Sequence, residues 1–135
     1  MRVILDANVV ASAVCWNGEA YRCFLKLARR QIFVFGTPET VQESSDVAAH
    51  LIREIHPAHN ATARLNWYIE KVKIVEASPL GKQPSRDLDN DPYLAAALAA
   101  SANFIVSYDK DLLTLKKPFG IEIIRPALLL RLIKG

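Results

Sequence analysis

Cysteine is nearly absent from this chain, with two in 135 residues. Cys15 and Cys23 have seven residues between them and fall in helix-like segments. That spacing excludes a disulfide framework and a zinc knuckle, and leaves two reduced packing residues. No apolar run approaches the roughly 20 residues of a membrane-spanning helix. Met1-Arg2 leads straight into a strand pattern without a signal-peptide cleavage site, so the expected location is cytoplasmic. Internal repeats and low-complexity tracts are missing as well. So is a large charge excess: 17 Lys and Arg against 14 Asp and Glu give +3, a weak pointer to a polyanionic partner. What the chain does have is 51% hydrophobic content. That suffices for the packed core of one domain over residues 1–135.

Short apolar runs alternate with helical patterns. Val3-Ile4-Leu5 reads as a buried strand, followed by an apolar, small-residue segment from Val9 to Trp16 that Asn17-Gly18 breaks. A helix is expected from Glu19 to Arg30, with Tyr21, Phe24, Leu25 and Ala28 forming its buried face and Arg22, Lys26, Arg29 and Arg30 sharing another. Ile32 to Phe35 reads as a second strand closed by Gly36. Thr37-Pro38-Glu39 then starts a helix, with a capping hydroxyl, proline in the first turn and an acid at the positive end of the dipole. A further helix from Asn60 to Lys73 would bury Leu65, Tyr68, Ile69 and Val72, while Trp67 falls off that face. Lys73 to Glu76 is a short third strand, and residues 78–86 form a loop. An Ala-rich helix over Tyr93 to Ala102, strands ending at Ser107 and Ile124, and a leucine-rich helix from Pro126 complete the pattern. Strands alternating with helices imply an α/β fold, a three-layer α/β/α sandwich around a central, mostly parallel sheet.

Two of the strands end on an aspartate, Asp6 and Asp109. In open α/β sheets the carboxyl edge is where ligands bind, so the two carboxylates are expected to meet there. An aspartate in that position is a cap or turn residue or a ligand. Asn8 adds an oxygen donor two residues on. The cluster Asp87-Leu88-Asp89-Asn90-Asp91 opens a helix-like stretch and can join them, and Glu43 lies on an earlier helix. Gathered acids repel one another unless a cation sits among them, and magnesium or manganese needs only one or two direct carboxylates. The acidic cluster is not a calcium loop, because Pro92 stands where the sharp turn requires glycine and Leu98 where a bidentate glutamate belongs. Helix capping by Asn90 or Asp91 accounts for some of its acids and leaves one without a task. With several acids gathered at one place, the remaining surface is more basic than the total suggests. The spacing of His56 and His59 is disturbed by Pro57 and completes no zinc set.

The chain resembles the PIN-domain ribonucleases, in particular the toxin components of prokaryotic toxin-antitoxin pairs. The residues that carry the likeness are the strand into Asp6-Ala7-Asn8, Thr37 to Glu43, Asp87 to Ala95, and Ala102 to Leu113. By position, the resemblance implies an acidic quartet of Asp6, Glu43, Asp91 and Asp109, with Asp6, Asp91 and Asp109 as metal ligands. Asn8, Ser107, Asp89 and Asp111 would support them. Ser107 stands where the family often has threonine, and Ser44-Ser45-Asp46-Val47 is more polar than the family's usual continuation, which makes Glu39 the rival of Glu43.

The implied activity is endoribonucleolytic, with Mg2+ or Mn2+ activating water for attack on the phosphodiester and no side-chain nucleophile. The implied partners are an RNA substrate and an antitoxin whose C-terminal segment fills the acidic groove. The leucine run 128–130 is too apolar for one helix stripe and favours a homodimer contact. Arg22, Lys26, Arg29 and Arg30 could track an RNA backbone, although on helix-pattern grounds alone a plain solvated face is the favoured reading. Two other readings stand beside this one. An aspartyl-phosphate phosphatase would use Asp6 as nucleophile but lacks the second acid where Asn8 stands. A noncatalytic binding module would be expected to have lost a core acid.

Overall fold

The computed structural model describes residues 1–77, 91–115 and 117–133, with Asp91 described by its backbone alone. The loop expected over 78–86, and Asp87 and Asp89, lie outside the described residues. Within them the order is β1 (Arg2–Leu5), α1 (Ala7–Cys15), α2 (Glu19–Ala28), β2 (Phe33–Gly36), α3 (Pro38–Ile55), α4 (Ala61–Lys71), β3 (Lys73–Ile74), α5 (Asp91–Ala100), β4 (Phe104–Val106), α6 (Lys110–Leu113), a short 3-10 turn (Pro118–Gly120), β5 (Glu122–Ile124) and α7 (Pro126–Leu132).

The strands form one five-stranded sheet in the order β3-β2-β1-β4-β5, and every pairing is parallel. Strand alternation divides the core between two faces. Val3, Leu5, Val34, Val106 and Ile124 pack under α1, α2, α4 and α7. Ile4, Phe35, Ile105 and Ile123 pack under α5 and Leu112 of α6. This is the expected α/β/α sandwich. The chain winds outward from β1 to β3 and then returns to place β4 on β1's other side. β1 and β4 therefore flank the point where the winding reverses, and a crevice opens there at their carboxyl ends.

Local sequence explains the elements closest to that crevice. Thr37 caps α3 by accepting from the Thr40 N–H, and the Thr40 hydroxyl oxygen accepts from the Thr37 N–H in return. Both orphan donors of the first turn are thereby satisfied. α5 is built from alanines and two leucines after its first turn, and Tyr93, Leu94, Ala96 and Ala97 are fully buried, so it lies close on the sheet.

Several sequence expectations need correction. α2 buries Ala20, Cys23, Phe24 and Leu27, a stripe rotated from the expected one; Tyr21 and Leu25 are half-buried and Ala28 is exposed. Phe24 decides the rotation, because it stacks on Tyr68 with centroids 5.0 Å apart and meets Trp67 at 5.7 Å. α2 also ends before Arg30, which takes a left-handed φ of 60°. The Gln31 N–H reaches the Lys26 carbonyl and the Arg30 N–H the Leu27 carbonyl, a helix stop that usually employs glycine. An arginine there costs about 1 kcal/mol. Ile69 is exposed, β3 spans two residues, and α5 runs Asp91–Ala100 rather than from Tyr93 to Ala102. α6 and the 3-10 turn have no counterpart in the periodicity. Cys15 and Cys23 are buried free thiols. Burial pushes the Cys23 thiol up to about 12, so it stays protonated and inert.

Candidate active site

Asp6 follows the last residue of β1 and is 5% exposed. The backbone holds it in place, because its N–H donates to the Val106 carbonyl of β4 at 3.0 Å. One carboxylate oxygen, Oδ1, accepts from the Ala7 N–H at 2.8 Å and caps α1. The other, Oδ2, accepts from the Ser107 hydroxyl at 2.7 Å. Ser107 is itself fully buried, and its oxygen accepts from the Asp109 N–H at 2.9 Å. One hydroxyl thus ties the end of β1 to the turn after β4. Asp109 caps α6, its Oδ1 accepting from the Asp111 N–H at 2.9 Å. For Asp6 and Asp109 capping and convergence coexist, because a carboxylate has lone pairs left after accepting one hydrogen bond on an oxygen.

Glu43 enters from α3. Tyr93 of α5 donates its phenolic hydrogen to Glu43 Oε1, which joins the two helices. Burial and the nearby charges of Glu43 and Asp6 hold the Tyr93 hydroxyl well above its ordinary pKa, so it remains a donor. Burial also raises the pKa of Asp6, Ser107 and Ala7 lower it, and the charges of Asp109 and Glu43 raise it further. Two of the other acids expected at the site, Asp109 and Glu43, therefore lie close enough for their charges to act on Asp6. Glu39 lies in the first turn of α3, is exposed, and does not figure among the charges acting on Asp6.

The other expected residues are placed less centrally. Asn8, in the first turn of α1, is exposed, as is Asp111. The backbone of Asp91 opens α5 two residues before Tyr93; its carboxylate and Asp89 lie outside the described residues. Arg22, Lys26 and Arg29 border a groove with Leu25 and Leu130. Arg30 leaves that group and borders another groove with Lys71 and Lys73, a correction that follows from its left-handed backbone. His59 Nε2 is bonded to the Val14 carbonyl at 2.8 Å, and among the described residues no cysteine or acid completes a zinc set around it.

The donor set at the crevice is made of carboxylate oxygens, the hard ligands that Mg2+ and Mn2+ take. Among the described residues no three His, Cys, Asp or Glu side chains stand close enough to hold one ion together. The fit therefore rests on one or two direct carboxylates with water completing the shell, the usual arrangement for magnesium. The raised proton affinity of Asp6, chiefly from burial and further from the charges of Asp109 and Glu43, fits it too, because a cation offsets both the lost solvation and the repulsion.

Tyr93 was the residue that sequence reasoning passed over. The signal was an aromatic with a hydroxyl in the first turn of an otherwise alanine-rich helix that starts in an acidic cluster.

No curated protein sequence matches the chain. The profile of the PIN domain does, over residues 2–111, and PIN domains are generally nucleases that cleave phosphodiester bonds. The match begins with β1, which leads into Asp6, and runs through α3 and α5 to the turn that carries Asp109, so the chain belongs to the PIN domain family.

Proposed function

We propose that the protein is a Mg2+- or Mn2+-dependent endoribonuclease, with residues 1–135 forming one nuclease domain. The observation that carries this reading is the buried Ser107 hydroxyl, which ties the Asp6 carboxylate to the backbone of Asp109 at the carboxyl ends of β1 and β4. Asp6, Asp91 and Asp109 would hold the ion, one or two of them directly and the rest through water. When bound, it would acidify the attacking water and offset charge building on the phosphate. Ser107 holds Asp6 and the backbone of Asp109 in register. Tyr93 fixes Glu43, whose exposed carboxylate faces incoming substrate. Water adds to phosphorus, its proton passes to a carboxylate of the cluster, and the bond to the leaving ribose oxygen breaks as that oxygen takes a proton from solvent water. Asn8, Asp89 and Asp111 serve as supporting polar groups.

The resemblance to toxin components extends the reading to a protein antitoxin whose terminal segment occupies the acidic crevice. Of the leucine run 128–130, Leu129 is fully buried in the core and Leu130 half-buried, so only the exposed Leu128 of that run, with Leu132 one turn on, supports a homodimer contact.

The test compares cleavage of single-stranded RNA with Mn2+ by the native protein and by Asp6→Asn. Chelator is expected to abolish cleavage and the substitution to reduce it by at least about a hundredfold. Equal activity in the two proteins would overturn the assignment of Asp6. Release of phosphate from a small monoester without RNA cleavage would establish the phosphatase reading instead.

A further inference from the structure

A second surface with nucleic-acid chemistry lies at the opposite edge of the sheet. Phe33 opens β2 level with Arg2 at the amino end of β1, and Lys73, which opens β3 opposite Phe35, reaches back over the Phe33 ring, while the acids sit at the carboxyl end. β1 is four residues long, so the two edges are about 13 Å apart along the strands. The C-terminal turns of α2 and α4 overhang this amino edge and leave a groove of about 530 Å³ bordered by Arg30, Phe33, Trp67, Lys71 and Lys73. Three of these residues are cations and two are aromatic, and among the described residues no carboxylate lines the groove.

The side chains are presented for binding. Phe33 is 37% exposed although it belongs to a strand, because β3 begins opposite Phe35 and leaves Phe33 without a neighbour on that side. Lys73 Nζ lies 4.7 Å from the Phe33 ring centroid, so charge and aromatic face come together. Trp67 is anchored on Phe24 and is therefore a rigid wall. Among the described residues the ion pairs are His50–Glu54 and Lys117–Glu122, and neither takes a cation of the groove. Arg30 reaches the groove from a left-handed backbone position.

Cations that track a backbone beside aromatic faces that accept bases are the chemistry of sequence-tolerant single-strand recognition. An acidic peptide would satisfy the charges and leave Phe33 and Trp67 without a matching partner. We propose that this groove is an exosite for single-stranded RNA, which holds substrate at the amino edge of the sheet while the carboxyl edge cleaves it. The proposal rests on the nuclease reading for its purpose, and on the groove alone for its binding.

The test measures affinity of the full chain for a fluorescent single-stranded oligoribonucleotide in chelator, where cleavage does not intervene. Lys71→Gln/Lys73→Gln is expected to weaken binding about tenfold and to flatten the dependence of log affinity on log salt by about 1.4, two single-strand phosphate contacts. Phe33→Ala is expected to weaken binding about tenfold with an unchanged salt slope, since it removes stacking and no charge. Circular dichroism and thermal midpoints establish that the variants fold. Native affinity and slope in both folded variants would overturn the exosite, even where Mn2+-dependent cleavage is intact. Loss of binding in both, in a protein that cleaves no RNA with any divalent ion, would keep the exosite and remove the nuclease. Sedimentation showing that Phe33→Ala dissociates a dimer, with RNA affinity unchanged, would assign the groove to a second copy of the chain and overturn the proposal.

Discussion

Tyr93, buried in α5, donates its phenolic hydrogen to Glu43 on α3, 50 positions earlier in the chain. This bond links α5 to α3 and gives an otherwise exposed glutamate a fixed orientation. Tyr93→Phe keeps the ring in the core and removes only the donor. Stability is expected to fall by about 1 kcal/mol, because the freed carboxylate rehydrates. The cleavage rate is expected to fall more, between about tenfold and a hundredfold, as Glu43 loses its position. Urea unfolding and initial cleavage rates check the two separately. A rate that only follows the stability loss would mean that Glu43 has no task at the site.

Asp6→Asn should part stability from activity in the other direction. The folded pKa of Asp6 lies above the ordinary 3.8, chiefly through burial, and Asp109 and Glu43 raise it further. The folded protein therefore holds this proton to higher pH than the unfolded chain does. Stability is full below the ordinary value and is lost as pH rises through the folded pKa. Asparagine keeps the shape and carries no charge. In chelator, Asp6→Asn is expected to be more stable than the native protein at neutral pH, with the gap closing as pH falls toward the ordinary aspartate range. Urea midpoints against pH measure the gap, and parallel curves for the two proteins would contradict it. Adding Mn2+ should raise the midpoint of the native protein and leave the variant's nearly unmoved.

The convergence of Asp6 and Asp109 was legible because it depends on two local signals, β-branched runs that stop on an acid, and one topological rule about parallel sheets. The start of α3 was legible for the same reason, since Thr37-Pro38-Glu39 states its own cap. The contacts that orient the carboxylates were not. Ser107 and Tyr93 act across 101 and 50 positions, and such pairings depend on how helices and strands settle on one another. The buried face of α2 was misread because Tyr21 and Leu25 outweigh Ala20 and Cys23 in hydrophobicity, while the stacking of Phe24 on Tyr68 decides the rotation. Arg30 was assigned to a helix face because left-handed helix stops usually announce themselves with glycine, and this one does not.

Ser107→Ala tests the link between the two strand ends. It removes the donor to Asp6 Oδ2 and the acceptor of the Asp109 N–H, both at a buried position. A loss of about 1–3 kcal/mol is expected, the usual cost of a buried polar group left without its partner. Ser107→Thr retains the hydroxyl and should restore both the unfolding midpoint and cleavage. If the threonine variant behaves like the alanine variant, the packing around residue 107 rather than the hydroxyl is what matters.

Gly36→Ala tests whether the cap of α3 sets the position of Glu43. Gly36 closes β2 just before the capping residue Thr37. A Cβ at this glycine would lie 2.9 Å from Val41 Cγ2 and 3.1 Å from Thr40 Oγ1. Val41 is β-branched and cannot swing aside freely, and the Thr40 hydroxyl is already committed to the capping box. The strain is therefore expected to push the first turn of α3 away from the strand and to cost about 1–3 kcal/mol. Glu43 stands one turn further on the same helix, so the shift should loosen its bond to Tyr93 and slow cleavage. Combined with Tyr93→Phe, which has already removed that bond, Gly36→Ala should cost less additional rate than it does alone. Full additivity of the two rate losses would show that the cap does not act on the site through Glu43.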